Sequence, residues 1–194
     1  ASKRKVFDVP FARPPPAWDV NAAAPIRALR DAAAVLNKSS VKFCHEVGGT
    51  QIGFHPGYYD SESFVSKTRA QGFCYALLDE LVSMCKPLGI TIAFENIAGP
   101  SMALFTQEEY IHALDGIDPC VKFLLDVGPA HYNHWDIPLV IDRIGDRLCG
   151  FHLHDNNGDG DSHWPIGQGT IPWAPVFAAM RQLPRETLYV MEYA

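Results

Sequence analysis

Short apolar runs alternate with longer segments of helical period along the whole chain. The runs are Lys5–Val9, Gln51–His55, Ile90–Glu95, Val121–Asp126, Leu148–His152 and Thr187–Glu192. Continuous apolar runs of this length, bounded by turn residues, predict strands buried on both faces, as in a parallel sheet. Between them, 25–47 predicts a helix broken near Ser39-Ser40 and ended by Gly48-Gly49. Ser61 or Ser63 would cap a long helix to Lys86, with Phe64, Phe73, Leu77, Leu78, Leu81 and Met84 among its apolar positions and Pro87-Leu88-Gly89 as its stop. Thr106-Gln107-Glu108-Glu109 predicts a capping box opening a helix to about Leu114. Two further helices are expected around Pro138–Ile144 and Trp173–Arg181. Repeated β-α-β units imply a parallel sheet with right-handed crossovers. A complete eight-stranded barrel needs about 250 residues. With 194 residues and six expected strands, this is either an open α/β sheet or a barrel whose first and last strands are not in the chain.

Composition narrows the class. With 47% hydrophobic residues the chain can bury one sizeable core, so residues 1–194 are expected to form a single domain. The net charge of -6 argues against a phosphate backbone as the main partner; Lys3-Arg4-Lys5 is a short terminal run, expected to be solvated. Five cysteines without a Cys-x-x-Cys pair suggest free thiols in a reducing compartment. No apolar run approaches the roughly 18 residues of a membrane span, and no secretory signal opens the chain, so a cytoplasmic location is expected. Sheet edges left open by an incomplete barrel would favour homo-oligomers.

The polar residues that end the apolar runs carry the chemistry. Glu95, Asp126, His152 and Glu192 each close a strand at its C-terminal end, where barrel enzymes keep their active sites. One imidazole among three carboxylates suits one divalent ion of the Mn, Zn, Mg or Co kind. A carboxylate ending a run as apolar as Ile-Ala-Phe is too costly to bury alone; it needs a metal, a cationic partner such as a loop arginine or lysine, or solvent. His55 ends a fifth strand and Asp8 a sixth. His152 and His154, two apart in extended chain, point the same way. His152 is expected to be the ligand, with His154 and Asp155 supporting it or holding substrate. The long loop Asn156–Thr170 adds Asp161 and His163 as further ligands or substrate contacts; Asp159-Gly160-Asp161 lacks the spacing of a calcium loop. Trp135, Trp164 and Trp173 read as core or pocket wall.

Taken in order, Phe54-His55-Pro56-Gly57, Glu95-Asn96-Ile97-Ala98-Gly99, Leu125-Asp126-Val127-Gly128, His152-Leu153-His154-Asp155, Asp161-Ser162-His163, Gly167-Gln168-Gly169 and Met191-Glu192 resemble the xylose-isomerase-like TIM barrels. That superfamily holds sugar isomerases and epimerases together with endonuclease IV. The resemblance implies a TIM barrel whose shared metal site is Glu95, Asp126, His152 and Glu192. In the nuclease branch the position of His55 joins a second metal, and those of Asp161 and His163 a third. That branch has histidines where this chain has Asp8 and Pro129, with His131 standing two residues after Pro129. The first expectation is therefore an isomerase or epimerase of a sugar, sugar phosphate or related keto compound, using one metal. Glu95 and Glu192 would exchange the carbon-bound proton through an enediolate. The second is an abasic-site endonuclease with up to three zinc ions; the third is a non-catalytic relative. A small-molecule partner is expected, not nucleic acid or membrane.

Overall fold

The computed structural model describes residues 21–183 and 187–193. Five strands form one parallel sheet in sequence order: β1 (Gln51–Phe54), β2 (Thr91–Glu95), β3 (Val121–Asp126), β4 (Leu148–Leu153) and β5 (Leu188–Met191). They make half of an α/β barrel. The sixth expected strand, 5–9, and with it Asp8, lies outside the described residues. Parallel pairing in near-continuous register, with Phe54 beside Phe94 and Asp126 beside His152, brings the C-terminal ends of the strands to one face. The inner strands are mainly apolar because helices cover them, with Lys122 as an exposed exception. Ile92, Phe94, Val121, Leu125 and Phe151 are fully buried.

The helices depart from the sequence pattern at five places. α1 (Arg27–Glu46) runs unbroken through Ser39 and Ser40, whose hydroxyls donate back to the carbonyls of Val35 and Leu36 instead of opening a turn. α2 (Lys67–Leu88) starts later than expected. Its cap is Ser66, which accepts from Arg69 N, while Ser63 is spent on the preceding turn through Val65 N. Phe64 is therefore left in the loop, 83% exposed. α2 also continues past Pro87, and Gly89 closes it at φ 66 in the left-handed region.

α3 (Gln107–Ile111) has the expected capping box at Thr106 and Glu109 but ends sooner than the pattern suggests. α4 (Val127–Tyr132) was not expected. Asp126 caps it by accepting from Gly128 N, and Pro129 falls in the first turn, where a missing N–H costs nothing. α5 (Ile137–Ile144) and α6 (Trp173–Met180) lie where the pattern puts them. Among the described residues no helix is long and apolar enough to cross a membrane.

Two polar side chains hold the layers together. Arg147 donates to four backbone carbonyls, those of Leu114, Ile117, Asp118 and Val121, latching the chain that leads into β3. Tyr110 on α3 is fully buried among Phe94, Phe123 and Trp135, with its hydroxyl between the carbonyls of Phe94 (3.0 Å) and Leu124 (2.9 Å). Removing that hydroxyl leaves the packing but loses a buried hydrogen bond. Tyr110→Phe should cost about 1 kcal/mol. In a chain of this size that is a fall of about 2–4 °C in melting temperature. A melt indistinguishable from the parent would mean the hydroxyl does not join β2 and β3.

Candidate metal centre

The register of β2, β3 and β4 gathers Glu95, Asp126 and His152, each no more than 5% exposed. Asn96, one residue past β2, ties the first two strands by donating to the carbonyl of Asp126 (2.9 Å) and accepting from its N–H (2.8 Å). Among the described residues Glu95 pairs with imidazoles and not with a lysine or arginine. Its Oε1 lies 2.7 Å from His152 Nδ1, and its Oε2 lies 2.9 Å from His55 Nε2. Glu192, the residue after β5, brings Oε1 to 3.4 Å from the same His152 nitrogen. Two carboxylates from different strands thus converge on one ring atom.

A second set lies beside the first. His154 is fully buried, with Nε2 2.9 Å from Asp126 Oδ1 and 3.6 Å from Asp161 Oδ1. The contact with Asp126 is short but not aligned as a hydrogen bond, and among the described residues neither ring nitrogen of His154 makes one. His163 stacks on His154 with centroids 3.8 Å apart, sends Nε2 to 3.4 Å from Asp161 Oδ2, and has Nδ1 2.9 Å from the carbonyl of Glu192. Room for His154 comes from Gly128, where a Cβ would sit 1.9 Å from its Cε1.

The charges settle unevenly. Burial would raise the Glu95 carboxyl, but His55 and His152 outweigh it and hold the group well below the usual carboxylate range. Asp126 goes the other way. Burial pushes it up, the Glu95 charge adds to that, and the contact with His154 compensates only in part. His163 is raised, chiefly by Asp161.

Among the described residues three groups bring atoms able to hold a metal within 4.8 Å of one another: Glu95, Asp126 and His152; Asp126, His154 and Glu192; and His154, Asp161 and His163. These oxygen and imidazole donors fit a divalent cation. So does a buried imidazole whose nitrogens have no hydrogen-bond partner in the described structure, an arrangement that calls for an explanation.

Other candidates stand elsewhere. His55 contacts Glu95 but joins none of the three groups. His131 turns to Thr170, at 3.0 Å from its hydroxyl. Asp155 faces the following loop. It accepts from the backbone of Asn156, Gly167 and Ile171 and from Trp173 Nε1, and its backbone pairs with Trp164. Asn96 and Gly128 escaped the sequence reading. Asn96 had a signal, a second polar residue at the end of an apolar run; Gly128 had none, because its role depends on a contact with β4.

A family model described as xylose isomerase-like TIM barrel matches residues 5–194. An uncharacterized protein of Methanocaldococcus jannaschii is 25% identical over 186 residues, covering 93% of this chain and 63% of that protein. Fructoselysine 3-epimerase of Escherichia coli O157:H7 is 22% identical over 136 residues, covering 69% of this chain and 45% of the enzyme. The solved structure of a D-tagatose 3-epimerase-like protein superposes with a TM-score of 0.81 at 22% identity, over 97% of this chain and 70% of that chain. The IOLI protein, solved with a zinc atom, gives 0.73 at 18% identity, over 88% and 63%. This chain therefore spans less than two thirds of the length of these curated relatives, and the structural likenesses speak to the fold.

Because a Cβ at position 128 would displace His154, Gly128→Ala should weaken divalent-metal binding by about 10–100-fold, the range seen when support around a ligand is lost. Calorimetric titration of parent and variant checks this. Equal affinities would show that His154 has no part in holding metal.

Proposed function

The chain belongs to the xylose isomerase-like TIM barrels, and from that membership we propose that it is a divalent-metal-dependent isomerase or epimerase of a sugar or sugar phosphate. The observation that carries the reading is the convergence of Glu95, Asp126 and His152 within 4.8 Å at the C-terminal ends of adjacent strands, with Glu192 reaching the same imidazole from β5. The epimerase names among its relatives and structural neighbours support it.

Glu95, Asp126, His152 and Glu192 would hold the cation. When bound, it supplies positive charge to a carbonyl and neighbouring hydroxyl, stabilising the negative charge that develops on oxygen when the carbon between them loses its proton. Glu95 stays ionised because His55 and His152 face it, so it can accept that proton. Glu192, with a side chain 25% exposed, is the more open of the two carboxylates and returns a proton to carbon. Proton removal and return by different carboxylates inverts a centre or moves the carbonyl, depending on which carbon receives the proton. The substrate is a small polyol carrying a carbonyl.

A second reading, abasic-site cleavage, draws on His55 beside Glu95 and on the closeness of Asp161 and His163. The net charge of -6 and Pro129, where that branch has a histidine, weigh against it. Cleavage of an abasic oligonucleotide without turnover of any ketose would favour this second reading.

Two measurements test the first. Glu192→Gln should still bind metal while exchange of the substrate carbon-bound proton with solvent falls about 10²–10⁴-fold; exchange at the parent rate would remove Glu192 from the proposed role. Mn or Zn at about 100 times its dissociation constant should stabilise the chain by about 2.7 kcal/mol, reversed by a chelator. That is a rise of roughly 5–11 °C in melting temperature. A melt insensitive to both metal and chelator would end the metal-dependent reading.

A further inference from the structure

We propose that the chain pairs with a second copy of itself along α1, the two helices running antiparallel. Four of the exposed large apolar side chains lie on this helix: Leu29 (38% exposed), Val35 (64%), Leu36 (43%) and Phe43 (50%). Leu29, Leu36 and Phe43 stand seven residues apart. Seven residues fall about 20° short of two full turns, so the three form one stripe. A single exposed leucine needs no explanation, but a stripe of large apolar groups marks a contact surface.

The other flanks of α1 are taken. Ala33, Asn37, Val41 and Cys44 are buried. Beside them the helix meets α2, where Arg30 lies over the Phe73 ring, 3.8 Å from its centre, and Lys38 pairs with Glu80. At about 3.6 residues per turn, the apolar stripe falls on the side of the buried residues away from α2. Its composition suits a helix as partner. Between the large side chains stand the small and exposed Ala32 and Ser39, and large against small lets two helices interdigitate. The Ser39 hydroxyl already donates to the Val35 carbonyl, so covering it leaves no donor unsatisfied.

Charge selects a second copy and fixes its direction. Arg27, Asp31, Lys42 and Glu46 are all exposed on α1. In a parallel pair each of them would stand level with its own copy, and like charges would meet. In an antiparallel pair centred near Leu36, Leu29 stands level with the second copy's Phe43, Asp31 with its Lys42 and Arg27 with its Glu46. Both charged pairs are then opposite in sign. A surface complementary to itself about one point is what a two-fold interface requires. Helices run against the strands in this fold, so antiparallel α1 helices turn the two candidate metal centres to opposite sides of the dimer, and neither copy adds a residue to the other's site.

The inference uses none of the metal-centre residues and stands apart from the proposed reaction. Its test is sedimentation equilibrium of the purified chain across micromolar to millimolar concentrations. The parent should form a reversible dimer. Leu36→Glu sets two carboxylates face to face at the two-fold axis and should raise the dissociation constant about 100-fold or more. Leu36 is exposed in the single chain, and far-ultraviolet circular dichroism confirms that the variant folds. Lys42→Glu removes two symmetry-related pairs and should weaken the dimer about tenfold. Adding Asp31→Lys to Lys42→Glu reverses both signs and should restore the parent affinity. A parent that stays monomeric overturns the proposal and leaves the stripe to a different occupant. A dimer unchanged in both Leu36→Glu and Lys42→Glu overturns α1 as the interface. Loss of the dimer in Lys42→Glu without recovery in the double variant overturns the antiparallel arrangement.

Discussion

Burying Glu95 and Asp126 side by side is the constraint around which the candidate site is arranged. Parallel strands in register leave no choice about where their ends meet, so acids placed there crowd together. Two adjacent carboxylates in a dry site repel, and among the described residues neither has a lysine or arginine to answer it. The fold answers with imidazoles: His55 and His152 against Glu95, His154 against Asp126. The answer is unequal, since Glu95 is held low while Asp126 is pushed up. Of the two, Asp126 is thus the one whose charge its neighbours support less, and it is also the carboxylate common to two of the three candidate ligand groups.

Much of this was legible in the sequence, because strand ends are read from hydrophobicity. Runs such as Ile-Ala-Phe-Glu and Phe-Leu-Leu-Asp announce both the strand and the polar residue that stops it, and all five described strands lie where their runs put them. Helix starts were harder, since several residues compete for one cap. Ser61, Ser63 and Ser66 all precede α2, and which hydroxyl meets a free N–H depends on the turn formed at Asp60. α4 was hidden because Gly128-Pro129 looks like a turn until Asp126 is seen capping it.

Within the site, the residues that could be named were those whose chemistry is declared by type. What could not be named were the contacts that place them. Sequence spacing puts His152 and His154 on one side of the chain but cannot say that a missing Cβ at Gly128, on α4, makes space for the second ring. Asp155 illustrates the reverse. Its type suggests a ligand, yet its neighbours are backbone N–H groups and an indole, and it fastens the loop that delivers Asp161 and His163.

The four-carbonyl latch of Arg147 bears on how such a molecule can change. A guanidinium keeps its charge at any pH a cell meets, and among the described residues its hydrogen bonds go to backbone oxygens. Its hold makes no demand on which side chains stand at those positions or on the protonation of the acids at the far ends of the strands. Side chains and loops on the upper face can therefore be exchanged over evolutionary time while the lower end stays fastened.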